Sequence, residues 1–168
     1  QLSTDATTSL NRLEKMQPLI AKLRSEYPGL KYRSAPQFSW SPETGEIFYK
    51  KGASDVTSQW SLLHETGHAL LGHKNYTADF ELLRLEVDAW EKARSVGEEL
   101  DIKIDDDHIQ DCLDTYRDWL HKRSICPNCS TQSLQQGESA NYRCHNCHTS
   151  WKVSTNRFCR AYRSTKSV

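Results

Sequence analysis

The sequence predicts an α+β chain. Its core over residues 1–123 combines a support helix, a short antiparallel sheet and three further helices. A four-cysteine zinc ribbon over 124–155 and a basic tail over 156–168 follow. Three observations carry this reading. Short runs of alternating apolar residues stand between Leu30 and Lys51. Longer runs with helical spacing follow them, the first containing His64-Glu65-Thr66-Gly67-His68. Two C-x-x-C pairs then close the ordered pattern.

At 168 residues the chain has material for one modest core and a small appendage. Hydrophobic residues make up only 36%, but five Trp and seven Tyr supply bulky core groups. Uncharged apolar runs such as Ala69-Leu70-Leu71 are far too short for a membrane span, and no stretch reads as an export signal. Of six cysteines, four stand in the C-x-x-C pairs, which favours metal binding in a reducing cytoplasm over disulfides. The net charge of zero conceals a division. Residues 1–120 carry 14 basic and 21 acidic side chains, and residues 121–168 carry 8 basic and one acidic. An acidic body is therefore joined to a basic module.

Leu10, Leu13, Ile20 and Leu23 recur at helical spacing and Pro28-Gly29 ends the run, with a kink or break expected at Pro18. Tyr32, Phe38 with Trp40, and Ile47 with Tyr49 mark short strands, with Ser41–Gly45 as a hairpin turn. The strand Glu46–Lys50 reads either as the edge of a cleft, open to an extended peptide, or as a plain edge blunted by Lys50 and Lys51. Leu62, Leu63, Leu70 and Leu71 then define a buried helix that ends at Gly72. Leu82, Leu83, Ala89, Trp90 and Ala93 form the apolar stripe of the next helix, with Glu86 at its centre. A last core helix runs from Asp105-Asp106-Asp107 to Lys122-Arg123, charges that suit its dipole. Cys112 on its apolar face reads as a buried, inert thiol.

The H-E-x-x-H spacing has a physical meaning. Residues four apart share a helix face, so His64 and His68 can offer two imidazole nitrogens to one ion. Glu65, rotated by about 100°, stands near that ion as a general base rather than a ligand. Zinc with three protein ligands keeps a fourth position open and brings the pKa of a bound water toward about 7. A carboxylate in the middle of an apolar stripe is costly unless compensated, which makes Glu86 the best third ligand; a buried pair with an arginine is the alternative. His73, five residues after His68, is the rival. It reaches the metal only if Gly72 breaks the helix, and it otherwise supports a ligand or the transition state. Tyr76 is a second candidate for stabilising an oxyanion.

Cys126-Pro127-Asn128-Cys129 and Cys144-His145-Asn146-Cys147 have the spacing of a structural zinc site of four cysteines, in which the thiolates close the coordination sphere. So small a module has little fold without its metal. In the tail, Arg157, Arg160, Arg163 and Lys166 alternate with Phe158 and Tyr162. That pattern suits nucleic acid or an acidic partner, and equally a solvated basic tail.

With His64, Glu65, His68 and Glu86 assembled, the first two-thirds resemble gluzincin-type zinc metallopeptidases, most closely the minimal gluzincins. They are more loosely similar to ImmA/IrrE-type and SprT-like proteins. The resemblance covers roughly residues 30–95. Many gluzincins place Ala three and Asp four residues after the ligand glutamate; here Ala89 matches and Trp90 stands at the second position. The resemblance implies a zincin-like core and a cytoplasmic zinc endopeptidase. Its catalytic zinc is held by His64, His68 and Glu86, Glu65 is the general base, and a second, structural zinc lies in the ribbon. The alternative is a nucleic-acid- or protein-binding regulatory module with a vestigial H-E-x-x-H site.

Overall fold

A computed structural model describes residues 16–137 and 139–154. Leu10, Leu13 and the whole basic tail, with Phe158, Tyr162 and Cys159, lie outside the described residues. The architecture is α+β, with four helices and two three-stranded sheets among the described residues. The order is α1 (Met16–Glu26), β1 (Lys31–Ala35), β2 (Ser39–Ser41), β3 (Glu46–Lys50), α2 (Val56–Leu70), α3 (Asp79–Glu99), α4 (Asp106–Ser124), β4 (Leu134–Gln135), β5 (Asn141–Arg143) and β6 (Ser150–Lys152). No helix among them is long and apolar enough to cross a membrane.

The chain divides into two compact units, residues up to 74 with 88–104, and residues 75–87 with 105 onward, so that α3 contributes to both. The boundary expected at 123/124 lies inside the second unit.

In the first unit, α1 buries Met16, Leu19, Ile20 and Leu23, one face at helical spacing. It continues through Pro18 without the expected break. The sheet has the order β1-β3-β2, and its strands match the alternating runs. It is not antiparallel throughout: β2 and β3 form the antiparallel hairpin, whereas β1 runs parallel to β3. Alternation tells which face of a strand is buried but not which strand is its neighbour. The link 36–38 is long enough to step over β3, since four Cα steps of about 3.8 Å exceed two strand spacings of about 4.8 Å.

Glu46–Lys50 is consequently the central strand, hydrogen-bonded on both sides, and both expectations of an edge there, open to a peptide or blunted by Lys50 and Lys51, fail. Tyr32, Ile47 and Trp40 stand in register across the sheet. The Tyr32 hydroxyl bonds Thr66 Oγ1 at 3.1 Å, which ties this row to α2. Thr66 Oγ1 itself donates to the Leu62 carbonyl, so Tyr32 is the donor to Thr66. Burial pushes the Tyr32 phenol up to about 12.

α2 starts at Asp55, whose carboxylate accepts from the Ser58 backbone N–H and from the hydroxyls of Ser58 and Thr57. Leu62 and Leu63 are fully buried, whereas Leu71 caps the helix and is exposed rather than part of its apolar face. α3 lies unusually close to α2. A Cβ on Gly67 would stand 2.4 Å from the Ala89 carbonyl oxygen, so only glycine permits this approach.

In the second unit Leu82, Tyr116 and Trp119 form a core cluster, with Tyr76, Leu83 and Leu120 against it. The ribbon sheet β4-β5-β6 is held here by a buried network. Asp79 accepts from Arg123 Nε at 2.9 Å and from the Tyr142 hydroxyl at 2.8 Å, while its own N–H donates to Gln135 Oε1. Burial first, then the bond to Asp79, pushes the Tyr142 phenol up. Arg123 also lies over the Trp119 ring, and its carbonyl accepts from Trp151 Nε1. The ribbon is thus anchored to the start of α3 and the end of α4.

Gly67→Ala is expected to cost roughly 1–3 kcal/mol by overpacking. Gly29→Ala, where an added Cβ meets nothing within 4 Å, should stay within about 0.5 kcal/mol of wild type. Urea unfolding of both variants checks this; equal midpoints would show that the helices separate without cost.

Candidate metal centres

The first centre is built on the last two turns of α2. His64, Glu65 and His68 are all buried, and one ligand atom from each lies within 4.8 Å of the others. A tetrahedral ion with bonds of about 2.0 Å needs nitrogens about 3.3 Å apart, which side-chain rotations of roughly an ångström supply. The two imidazoles meet edge to face, with centroids 4.6 Å apart, as expected for residues one turn apart. The Glu65 carboxylate stands 3.5 Å from His64 Nδ1.

Two neighbours fix the ring planes. Trp90 stacks on His64, with centroids 4.2 Å apart and planes inclined by 21°. The second neighbour is His73, whose Nδ1 lies 2.9 Å from His68 Nδ1.

The helix ending explains how His73 returns. Gly72, with φ of +63°, turns the chain; its N–H bonds the Ala69 carbonyl and the N–H of His73 bonds the His68 carbonyl. This Schellman arrangement brings the second residue past the cap back over the third residue from the helix end, here His68. Trp40 Nε1 donates to the His73 carbonyl at 2.8 Å and holds the turn against β2.

One proton is shared in the contact between the two Nδ1 atoms. If His68 donates it, the lone pair of that ring sits on His68 Nε2, the state that a metal needs. The contact places His73 against His68, as the supporting role among those its spacing allowed would require.

Glu86 is buried, at 6% exposure, on the 75–87 part of α3, and is not one of the three grouped residues. Tyr76 packs beside Leu82, Tyr116 and Trp119. Cys112 is buried as expected, with His108 Nε2 3.6 Å from its sulfur.

The second centre consists of Cys126, Cys129, Cys144 and Cys147. Their sulfurs pair across the two knuckles, Cys126 with Cys147 at 3.6 Å and Cys129 with Cys144 at 3.5 Å. A disulfide requires about 2.05 Å, whereas the edge of a tetrahedron with zinc–sulfur bonds of about 2.3 Å is about 3.8 Å. The four thiols are free and so spaced that they could hold a metal ion. Burial pushes the Cys126 thiol up to about 11. The hydroxyl of Thr149, then the amide of Asn128, bring Cys147 down to about 5. The Thr131 hydroxyl first of all lowers Cys129.

Sequence reasoning missed the threonines and asparagines. The signal was a repeat, C-x-N-C-x-T, at residues 126–131 and again at 144–149.

Comparison with protein-family models, with characterised proteins and with solved structures returns no match.

His73→Ala is expected to weaken metal binding at the histidine centre by about 10–100-fold while leaving the cysteine centre unchanged. Competition with a chromophoric chelator checks this. Unaltered affinity would show that the Nδ1 contact does not orient His68.

Proposed function

We propose that the chain is a zinc-dependent endopeptidase with a zincin-like core of gluzincin type, carrying a structural zinc in its ribbon. The observation that supports this reading is the buried grouping of His64, Glu65 and His68, with His73 Nδ1 2.9 Å from His68 Nδ1. His64 and His68 would supply two ligands. The sequence assigns Glu86 the third, as the carboxylate at the centre of an apolar helical stripe. Bound there, zinc would supply Lewis acidity toward the scissile carbonyl and acidify the attacking water.

The chain's own residues supply the rest. The Glu65 carboxylate takes the proton of the attacking water and passes it to the leaving amine nitrogen. His73 keeps His68 in the tautomer that offers Nε2. Trp90 covers one face of His64 and fixes its plane against rotation. The substrate is a peptide or unfolded protein, and the proposed compartment is the cytoplasm.

The second reading, a nucleic-acid- or protein-binding module with a vestigial histidine site, draws on the basic excess of residues 121–168 and on exposed Arg143 and Lys152 in the ribbon sheet. Such a module has no use for a general base beside the two histidines, and Glu65 is buried there.

In the zinc-loaded chain, Glu65→Gln should lower cleavage of an unstructured protein substrate by at least about 10²-fold, with zinc content unchanged. Product analysis by mass spectrometry beside metal analysis checks both halves. Undiminished cleavage by the variant would contradict the mechanism.

A further inference from the structure

The two cysteine knuckles are the same hexapeptide pattern folded twice. In each, the first cysteine's N–H bonds the threonine carbonyl, Cys126 to Thr131 at 2.9 Å and Cys144 to Thr149 at 2.8 Å. In each, the residue before the threonine has a positive φ, 59° at Ser130 and 63° at His148, and returns its N–H to the first cysteine's carbonyl. In each, the second cysteine's sulfur meets the threonine hydroxyl, at 3.3 Å for Cys129 and 3.2 Å for Cys147.

The asparagines depart from this local pattern. Asn128 Nδ2 donates to Cys147 Sγ at 3.5 Å, and Asn146 Nδ2 donates to Cys129 Sγ at 3.6 Å. Each side chain therefore reaches across to the other knuckle, and the two bonds are reciprocal.

The burial of the sulfurs gives the crossing its purpose. Cys126 and Cys144 are almost wholly buried, whereas Cys129 and Cys147 are half-buried. The half-buried pair are the sulfurs that the asparagines contact, and both asparagines are exposed. A site of four thiolates around a divalent ion carries a net charge of about −2. N–H donors to sulfur spread that charge, and a group over an accessible sulfur blocks solvent, chelators and electrophiles.

We infer that Asn128 and Asn146 are crossed guards of the cysteine metal site, each positioning and shielding the outer thiolate of the opposite knuckle. The inference rests on the cysteine centre alone and stands apart from the peptidase reading. The guards make metal retention cooperative between the knuckles: if one opens, it withdraws the donor that protects the other.

The test uses the full chain loaded with Co²⁺, whose thiolate-to-metal charge-transfer absorption reports the cysteine site without contribution from the histidine centre. Competition with Zn²⁺ follows, and then alkylation by iodoacetamide with the modified cysteines mapped by mass spectrometry. Asn128→Ala and Asn146→Ala should each weaken metal binding about tenfold.

The pattern of alkylation is the decisive readout. Asn128→Ala should speed modification of Cys147, and Asn146→Ala that of Cys129, each on the opposite knuckle. Asn128→Asp, which keeps the size but replaces the donor by an anion, should bind more weakly than Asn128→Ala. Retained far-ultraviolet circular dichroism shows that the variants are folded. Wild-type affinity in both alanine variants would overturn the inference. Faster alkylation of the cysteine on the substituted knuckle itself, or of all four equally, would also overturn it.

Discussion

The arrangement of the first unit depends on a backbone-on-backbone contact. Gly67, at the second position of the H-E-x-x-H interval, lies against the carbonyl of Ala89, and α3 cannot approach α2 this closely over any side chain. That approach carries Trp90 onto the face of His64. One residue after the glycine, His68 is held from the other direction by His73, through a helix ending that also needs a glycine. The histidine centre is thus fixed by two glycines that do different work, one removing volume and the other permitting a left-handed turn.

Much of this was legible in the sequence. The three strands, the helix carrying His64 and His68 and the two cysteine knuckles all fall where periodicity and spacing put them, because burial periodicity and ligand spacing are local properties. The sheet order was not legible, since placing β3 between β1 and β2 is a matter of tertiary neighbours. His73 was half legible. Gly72 four residues after His68 predicts the Schellman return, and the motif's own register then brings the next residue back to His68. Trp90 reads in the sequence as one more apolar residue of a stripe, and only the ring-on-ring stack gives it a place at the site.

The second unit shows how a small ribbon is integrated. An ion pair as buried as Asp79 with Arg123 contributes little net stability by itself, yet removing one partner would leave the other charge stranded. It acts as a specificity device: the ribbon fits only where Tyr142 and Gln135 complete the bonds of Asp79. The aromatic rings of Tyr142 and Trp151 stack on each other at 5.7 Å, and the hydroxyl of Tyr142 is committed to Asp79. These two rings serve the joint, so any nucleic-acid contact by the ribbon would draw on its exposed cations.

The central proposal is that this chain holds metal at two groups of different kinds, one of buried histidines and one of four cysteines. Metal analysis of the purified full chain addresses it most directly, with zinc per chain counted in wild type, His68→Ala and Cys144→Ser. The account predicts two zinc ions in wild type and one in each variant. A single zinc that persists in His68→Ala and disappears in Cys144→Ser would contradict it, because the histidine centre would then hold no metal.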